Sequence, residues 1–162
     1  MRPTEHSFVA GDRLYSINEV PTDDIRHTDI TITLDGRRQW HFSAKGWRRL
    51  SVGYNGSTPY LWTARSVVVL PRSAKDEPSV IPVEDEDVLY VFSTEGGWLL
   101  VCETSLRLFR NEVEVARAEF GEVLMHASFD RGSLTLVDMG SASYRFLVGA
   151  QSLTDVTNNP AV

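Results

Sequence analysis

The sequence is poor in the features that define several large protein classes. It has a single cysteine, Cys102, so neither an internal disulfide framework nor a zinc site built from several thiolates is available. No apolar run approaches the ~20 residues that a membrane-spanning helix needs. The first residues lead into no apolar secretory segment. These absences predict a soluble, cytoplasmic protein with no membrane partner.

Sequence motifs of catalysis are also missing. There is no Gly-x-Ser-x-Gly nucleophile elbow and no glycine-rich phosphate loop that opens a helix. Cys102 lies in an apolar stretch and is predicted to be a buried strand residue. The one cluster of histidine with carboxylates, residues 23–29, is typical of a polar loop. The four histidines are scattered: His6, His27, His41 and His126. We therefore predict no catalytic residue, no metal ligand and no cofactor.

Composition and charge point to a folded, acidic domain. Hydrophobic residues make up 42% of the 162 residues and charged residues 23%, which excludes wholesale disorder and fits one domain. Residues 1–75 carry 11 Lys and Arg against 7 Asp and Glu, whereas residues 76–162 carry 5 against 15. This asymmetry predicts surfaces of opposite potential that steer association. The pI of 5.2 argues against a dedicated nucleic-acid binder.

The hydrophobic pattern predicts strands. Alternate residues are apolar in 30–34, and Asp35-Gly36 follows as a turn that tolerates positive φ. Residues 105–120 also fit the 3-4 spacing of a helix, but we favour two strands with Asn111 in the turn between them. The other predicted strands are 8–10, 14–17, 37–43, 47–52, 60–64, 66–70, 88–94, 98–104, 122–129, 133–139 and 143–148.

An internal repeat organises these strands. Residues 44–46, 95–97 and 130–132 each end in glycine between two apolar segments, which predicts a three-residue hairpin connection with a left-handed final residue. The last two copies lie 35 residues apart and match at Val88 with Val123 and at Leu89 with Leu124.

A meander of short strands repeated in this way resembles the blades of a β-propeller, over about residues 30–149. The resemblance implies a scaffold that binds partners through its loops and faces. No Trp-Asp dipeptide ends a strand, so the WD-type family is not indicated. The chain has room for about three such blades. The sheets are therefore expected to close as a sandwich or open barrel, or with other chains.

The predicted fold is all-β, with repeated antiparallel meanders in a single domain over residues 1–149. Residues 71–87 contain three prolines and six acids, and we interpret them as a long acidic loop. Residues 150–162 show little periodicity and are predicted to be a flexible C-terminal tail.

The strongest candidate for a binding site is residues 37–49, which hold five Lys or Arg, two tryptophans and no acid. A hairpin around 44–46 would place Trp40 and Phe42 on the core face. The opposite, basic-aromatic face would carry Arg37, Gln39, His41, Trp47 and Arg49. Tryptophan and arginine dominate protein interfaces, so this face is predicted to bind another protein. The same residues could instead hold a nucleic acid, or form a solvated face with Arg49 over Trp47.

The predicted function is a non-catalytic protein-interaction module, either an inhibitor or immunity-type partner or a subunit of a larger assembly. The partner would be another protein or a second copy of the chain. A second predicted contact, facing a basic partner, is the acidic run Glu84, Asp85, Glu86 and Asp87.

Three alternatives stay open. One is a small-ligand β-barrel with an apolar cavity among Trp62, Tyr90, Phe92 and Trp98. Another is a weak nucleic-acid or anion binder. The third is an enzyme in which a histidine lies in a cleft beside a carboxylate and a hydroxyl.

Overall fold

The computed structural model of the protein describes residues 4–22, 27–45, 51–55 and 58–158. Within these residues the chain is all-β, and it divides into two compact units, Met1–Asp85 and Glu86–Val162. Each unit holds two four-stranded antiparallel sheets whose strands pair in chain order. The expectation of one domain over residues 1–149 stays a prediction.

The first unit contains the first and second sheets. The strands of the first sheet are β1 (Thr4–Ala10), β2 (Arg13–Pro21), β3 (His27–Leu34) and β4 (Arg38–Lys45). Those of the second sheet are β5 (Ser51–Asn55), β6 (Thr58–Trp62), β7 (Ser66–Val69) and β8 (Ser79–Pro82).

The second unit contains the third and fourth sheets. The strands of the third sheet are β9 (Val88–Thr94), β10 (Gly97–Cys102), β11 (Ser105–Arg110) and β12 (Val113–Glu119). Those of the fourth sheet are β13 (Leu124–Asp130), β14 (Ser133–Asp138), β15 (Ser143–Val148) and β16 (Leu153–Asp155).

The core of the first unit follows from period-2 alternation. Ile17 on β2 and Ile32 on β3 lie opposite each other and are fully buried, as is Leu61 of the second sheet, in one apolar cluster. Burying each such side chain stabilises the fold by about 1.5–3 kcal/mol before entropy is counted. The Tyr15 hydroxyl in this core donates a hydrogen bond to the Pro71 carbonyl at 2.8 Å, which satisfies its one polar atom.

The core of the second unit is built in the same way between its two sheets. Leu99 and Leu108 of the third sheet pack in one cluster with Leu134 and Phe146 of the fourth. The Phe120 ring meets the Phe146 ring nearly edge-on, with centroids 5.9 Å apart.

Residues 105–120 form strands β11 and β12, so the preference for strands over a helix is confirmed. Asn111 and Glu112 connect them with φ values of 46° and 66°. Two left-handed residues in a two-residue loop match the twist of the flanking strands, and this local geometry favours the hairpin.

The predicted glycine-ended connections need correction. Thr94 pairs with Gly97 and Asp130 pairs with Ser133, so these two loops have two residues rather than three. Gly97 is the first residue of β10, where a Cβ would lie 1.9 Å from the Phe109 carbonyl oxygen. The glycine therefore allows close approach of two backbones.

The predicted hairpin at 44–46 is wrong, and Gly46 itself lies outside the described residues. β4 pairs with β3, with Lys45 opposite His27, whereas β5 pairs with β6 in another sheet. The alternation of buried and exposed residues in β4 is compatible with pairing to either β3 or β5. The short turn at Asp35 and Gly36 selects β3, because it closes a smaller loop.

Four blade-like meanders are present where about three were expected. The difference arises because residues 4–21 form two full strands and because the segment 71–87 contains β8, in which Ile81 is buried. The segment predicted as a flexible tail also contains a strand, β16. Arg110 binds the chain just before it, donating to the Ala150 carbonyl at 2.7 Å and to the Gly149 carbonyl at 3.0 Å.

Candidate interaction surface

The first sheet has one face packed in the core and one face turned away from it, which we call the outward face. Two rows of residues cross the outward face in register. One row is Ser7, Ser16, Thr33 and Gln39, and the other is Glu5, Asn18, Thr31 and His41. Only Glu5 in these rows is an acid, and the rows contain no lysine or arginine. These two rows therefore form a mostly uncharged array of hydroxyl, amide and imidazole groups, and the exposed Asp29 and Lys45 carry charge farther along the same face.

Neighbouring side chains on the outward face contact one another across the strands. The Ser7 and Ser16 hydroxyl oxygens lie 3.2 Å apart. Thr31 Oγ1 lies 2.9 Å from His41 Nδ1, and the tautomer of the ring decides which group donates. Such cross-strand pairs hold the side chains upright on the sheet.

An exposed aliphatic pair borders this array. Val9 on β1 and Leu14 on β2 lie directly opposite each other and are 64% and 47% exposed. Val20, at the other end of β2, is also exposed. Single exposed aliphatic residues are common, whereas Val9 and Leu14 together form a small continuous apolar patch.

The structure describes three residues of the predicted basic-aromatic face. Gln39 and His41 are exposed on β4, and Arg37 is exposed in the turn before it. Trp47 and Arg49 lie outside the described residues, so their role stays a prediction. Trp40 on the same strand is buried, as the alternation required.

Arg38 lies on the core side of β4, at the rim. Its guanidinium carbon is 5.7 Å from the centre of the Trp40 ring, and it forms an ion pair with Glu77. Both charged side chains are largely exposed, at 45% and 65%. The pair therefore covers the indole and contributes little stability by its charge alone.

The predicted acidic run does not form one solvated patch. Glu84 and Asp85 are exposed, but Glu86 turns inward and its side chain is only 12% exposed. Asp87 is half-buried, and its carbonyl oxygen accepts a hydrogen bond from the Glu103 N–H at 3.0 Å. The sequence shows four consecutive acids, whereas the fold separates them because Glu86 finds donors on β11 and β12.

The Glu86 carboxylate accepts five hydrogen bonds. Its Oε2 accepts from the Thr104 N–H at 2.8 Å and from the Thr104 hydroxyl at 3.1 Å. Its Oε1 accepts from Ser105 Oγ and from Arg107 Nη2, both at 2.6 Å, and from Arg117 Nη2 at 3.2 Å. Burial raises the pKa of this carboxyl, but the hydrogen bonds outweigh burial and lower the pKa of Glu86 to about 2. Glu86 therefore stays charged and is engaged within the second unit.

The boundary between the units changes the charge comparison. Residues 1–85 hold 11 Lys and Arg and 11 Asp and Glu, a net charge of 0. Residues 86–162 hold 5 and 11, a net charge of −6. The basic excess of residues 1–75 is thus balanced by acids of the same unit, such as Glu77 beside Arg38.

Among the described residues, no three His, Cys, Asp or Glu side chains are grouped so that they could hold a metal ion. The His126 ring meets the Tyr90 ring edge-on, with centroids 6.4 Å apart. Cys102 is fully buried on β10, as predicted. No helix in the described ranges has the length and hydropathy needed to cross a bilayer.

Comparisons with known proteins leave the family open. No family model matches the chain, and no curated protein does either. Among solved structures, the chain is similar to the crystal structure of HIRA(644-1017), with a TM-score of 0.49 and 12% sequence identity. The match covers 97% of this chain and 54% of that one, so the chain spans about half the length of that solved structure. The four antiparallel sheets fit a propeller-like β repeat.

Proposed function

We propose that this chain is a non-catalytic protein-interaction module that binds another protein through the outward face of the first sheet. The observation that carries the proposal is the exposed pair Val9 and Leu14 beside the mostly uncharged polar rows. The aliphatic pair would supply apolar area to a partner. The amide and hydroxyl groups can donate or accept hydrogen bonds without the cost of burying a charge.

Charged residues would border this contact rather than form its centre. Arg37 lies in the turn before β4, and Trp47 and Arg49 follow the strand in the sequence. Glu84 and Asp85 are the exposed acids that a basic partner would meet. Glu86 is removed from the proposed contact because its carboxylate is already bonded to Arg107 and Arg117.

The proposal is tested by site-specific crosslinking in extracts of the source cells. A photo-crosslinking amino acid is placed at Gln39, on the outward face. The matched control position is Ser128, which is exposed on β13 in the second unit. We expect one discrete protein adduct from position 39 and none of that mass from position 128.

A second substitution tests whether the aliphatic pair matters. Leu14→Lys in the crosslinking chain is expected to reduce the adduct at least tenfold, while Val113→Lys, at an exposed valine of β12, leaves it unchanged. Circular dichroism must show the same folded state for both variants. No adduct at position 39, or an adduct that is insensitive to Leu14→Lys, would rule out this face.

A further inference from the structure

β1 is an edge strand with little of the usual protection against pairing. It has seven residues in seven unbroken rungs with β2, from Thr4 opposite Glu19 to Ala10 opposite Arg13. It contains no proline, lysine or arginine and no register shift. Natural edge strands normally carry such features because an open edge recruits other strands.

The other edge strands of the described sheets differ from β1 in this respect. β4 carries cationic residues, β5 contains Gly53, and β8 is short and ends in a proline. β16 has only three residues. The remaining edges, β9, β12 and β13, each pair with a register shift.

The hydrogen bonds of β2 show which backbone N–H and C=O groups of β1 point away from β2. The Leu14 carbonyl accepts from the Asp35 N–H at 2.8 Å, so Leu14 directs its backbone groups toward β3. Its neighbour Tyr15 therefore directs them toward β1, where it pairs with Phe8. Because the direction alternates along a strand, Glu5, Ser7 and Val9 point their N–H and C=O groups away from β2. No described strand pairs with that side of β1.

We propose that β1 pairs antiparallel with β1 of a second copy of this chain, centred on Ser7. In this register all seven residues find a partner: Thr4 faces Ala10, Glu5 faces Val9, His6 faces Phe8, and Ser7 faces its own copy. The open groups of Glu5, Ser7 and Val9 form the hydrogen-bonded rungs. The arrangement is a two-fold, isologous contact, and it is independent of the function proposed above.

The charges of β1 favour this register over its neighbours. In the centred register, Glu5 faces Val9 of the other copy and His6 faces Phe8. Neither ionisable residue therefore faces the same residue of the other copy. A shift by two residues in one direction would place His6 opposite His6. The opposite shift would leave Glu5 without a strand partner. Neither charge faces a like charge in the centred register, and either shift would pair only five residues of β1 instead of seven, so the centred register is favoured.

Side chains on both faces suit the same pairing. On the outward face, the Ser7–Ser16 hydroxyl contact would extend into a row of four hydroxyls across the two-fold axis. On the other face, Phe8 stacks on the buried Tyr15 at 5.3 Å and meets the 47% exposed Tyr54 edge-on at 5.8 Å. The His6 ring of the second copy would lie against this half-buried aromatic row.

The first test is a disulfide trap. In the centred register the two Ser7 Cα atoms lie about 5.5 Å apart, which is within the span of a disulfide. Ser7→Cys is expected to give a covalent dimer on mild oxidation of the full chain. Asn18→Cys, exposed on the same face but on β2, is expected to give at least tenfold less. The native Cys102 is fully buried and does not interfere.

The second test measures mass in solution by sedimentation over a wide range of concentration. The pairing adds backbone hydrogen bonds and little apolar area, so a dimer that dissociates on dilution is expected. Ser7→Pro removes one outward N–H and keeps the bonds to β2, so it should shift the dimerisation constant at least tenfold with an unchanged melting temperature.

Two results would overturn the proposal. One is a wild-type chain that stays monomeric at every concentration together with equal trapping at positions 7 and 18. The other is a dimer that Ser7→Pro leaves intact. Crosslinking at Gln39 in the otherwise unchanged chain, at a concentration where sedimentation shows only monomer, reports on the proposed function separately, so the two proposals can fail independently.

Discussion

The two units hold their charged side chains in different ways. In the second unit, the Glu86 and Arg107 side chains are 12% and 6% exposed and bond directly to each other. In the first, Arg13 pairs with Asp35 and Arg38 with Glu77, and both arginine side chains are more than 40% exposed. Removing one member of a buried pair leaves an uncompensated charge, whereas a surface pair contributes about 0–1 kcal/mol. Breaking the buried pair of the second unit is therefore expected to cost far more than breaking a surface pair of the first.

The largest effect is expected when the buried network is cut. Glu86→Ala would remove the carboxylate that Arg107 Nη2 contacts at 2.6 Å, while another carboxylate, that of Glu114, lies more distant at 3.8 Å. We expect a loss of about 3–5 kcal/mol in the free energy of unfolding. Urea unfolding followed by hydrogen exchange should show the loss in β10, β11 and β12.

The matched control is Glu77→Ala, which removes the acid of a surface pair in the first unit. It is expected to cost less than about 1 kcal/mol. Equal losses for Glu77→Ala and Glu86→Ala would contradict the comparison between the units.

The second largest effect is expected on the pH dependence of stability in the second unit. The pKa of Glu86 is about 2 in the folded protein, below its usual 4.5, so its contribution is complete above pH 4.5 and is lost as the pH falls through 2. The lowering of the Glu86 pKa from 4.5 to about 2 corresponds to about 3 kcal/mol in the free energy of unfolding.

Unfolding free energies of the wild type and of Glu86→Gln, measured at a series of acidic pH values, test this dependence. The difference in unfolding free energy between the wild type and Glu86→Gln should shrink toward zero as the pH approaches 2. An advantage that stays constant across the window would show that the ionised carboxylate is not the stabilising form.

The smallest effect is expected on the outward face of the first unit. Gln39 and His41 are exposed, and His41 forms a hydrogen bond with the Thr31 hydroxyl. The double substitution Gln39→Ala, His41→Ala should change stability by less than about 0.5 kcal/mol. Thermal melting checks this expectation, and a loss above about 2 kcal/mol would show that the face is structural rather than available for binding.

Strand alternation made much of the fold predictable. The pattern Ile30, Ile32, Leu34 places every second residue of β3 in the core, and Trp40 follows the same rule on β4. The asparagine at 111 marked the turn that separates β11 from β12. These features depend on local backbone geometry, which neighbouring residues decide.

Pairing between strands was harder to predict. Period-2 alternation shows which side of β4 is buried but not whether β3 or β5 lies beside it. For the same reason, β8 and β16 were missed, because four and three residues are too few to show a period. In the candidate site, the alternation along β4 was enough to predict that Gln39 and His41 are exposed. The Val9–Leu14 pair could not be predicted in this way, because it depends on the register between β1 and β2.

By itself, the sequence determined that this protein is all-β, which residues alternate toward the core, and where several tight turns lie, because these depend on side-chain period and local φ and ψ. Only the tertiary structure decided that the chain divides after residue 85 and that the four acids of residues 84–87 are separated from one another. Four adjacent carboxylates look alike in sequence. The Glu86 carboxylate meets the side chains of Arg107 and Arg117, some 20 to 30 residues away, only because β11 and β12 bring them there.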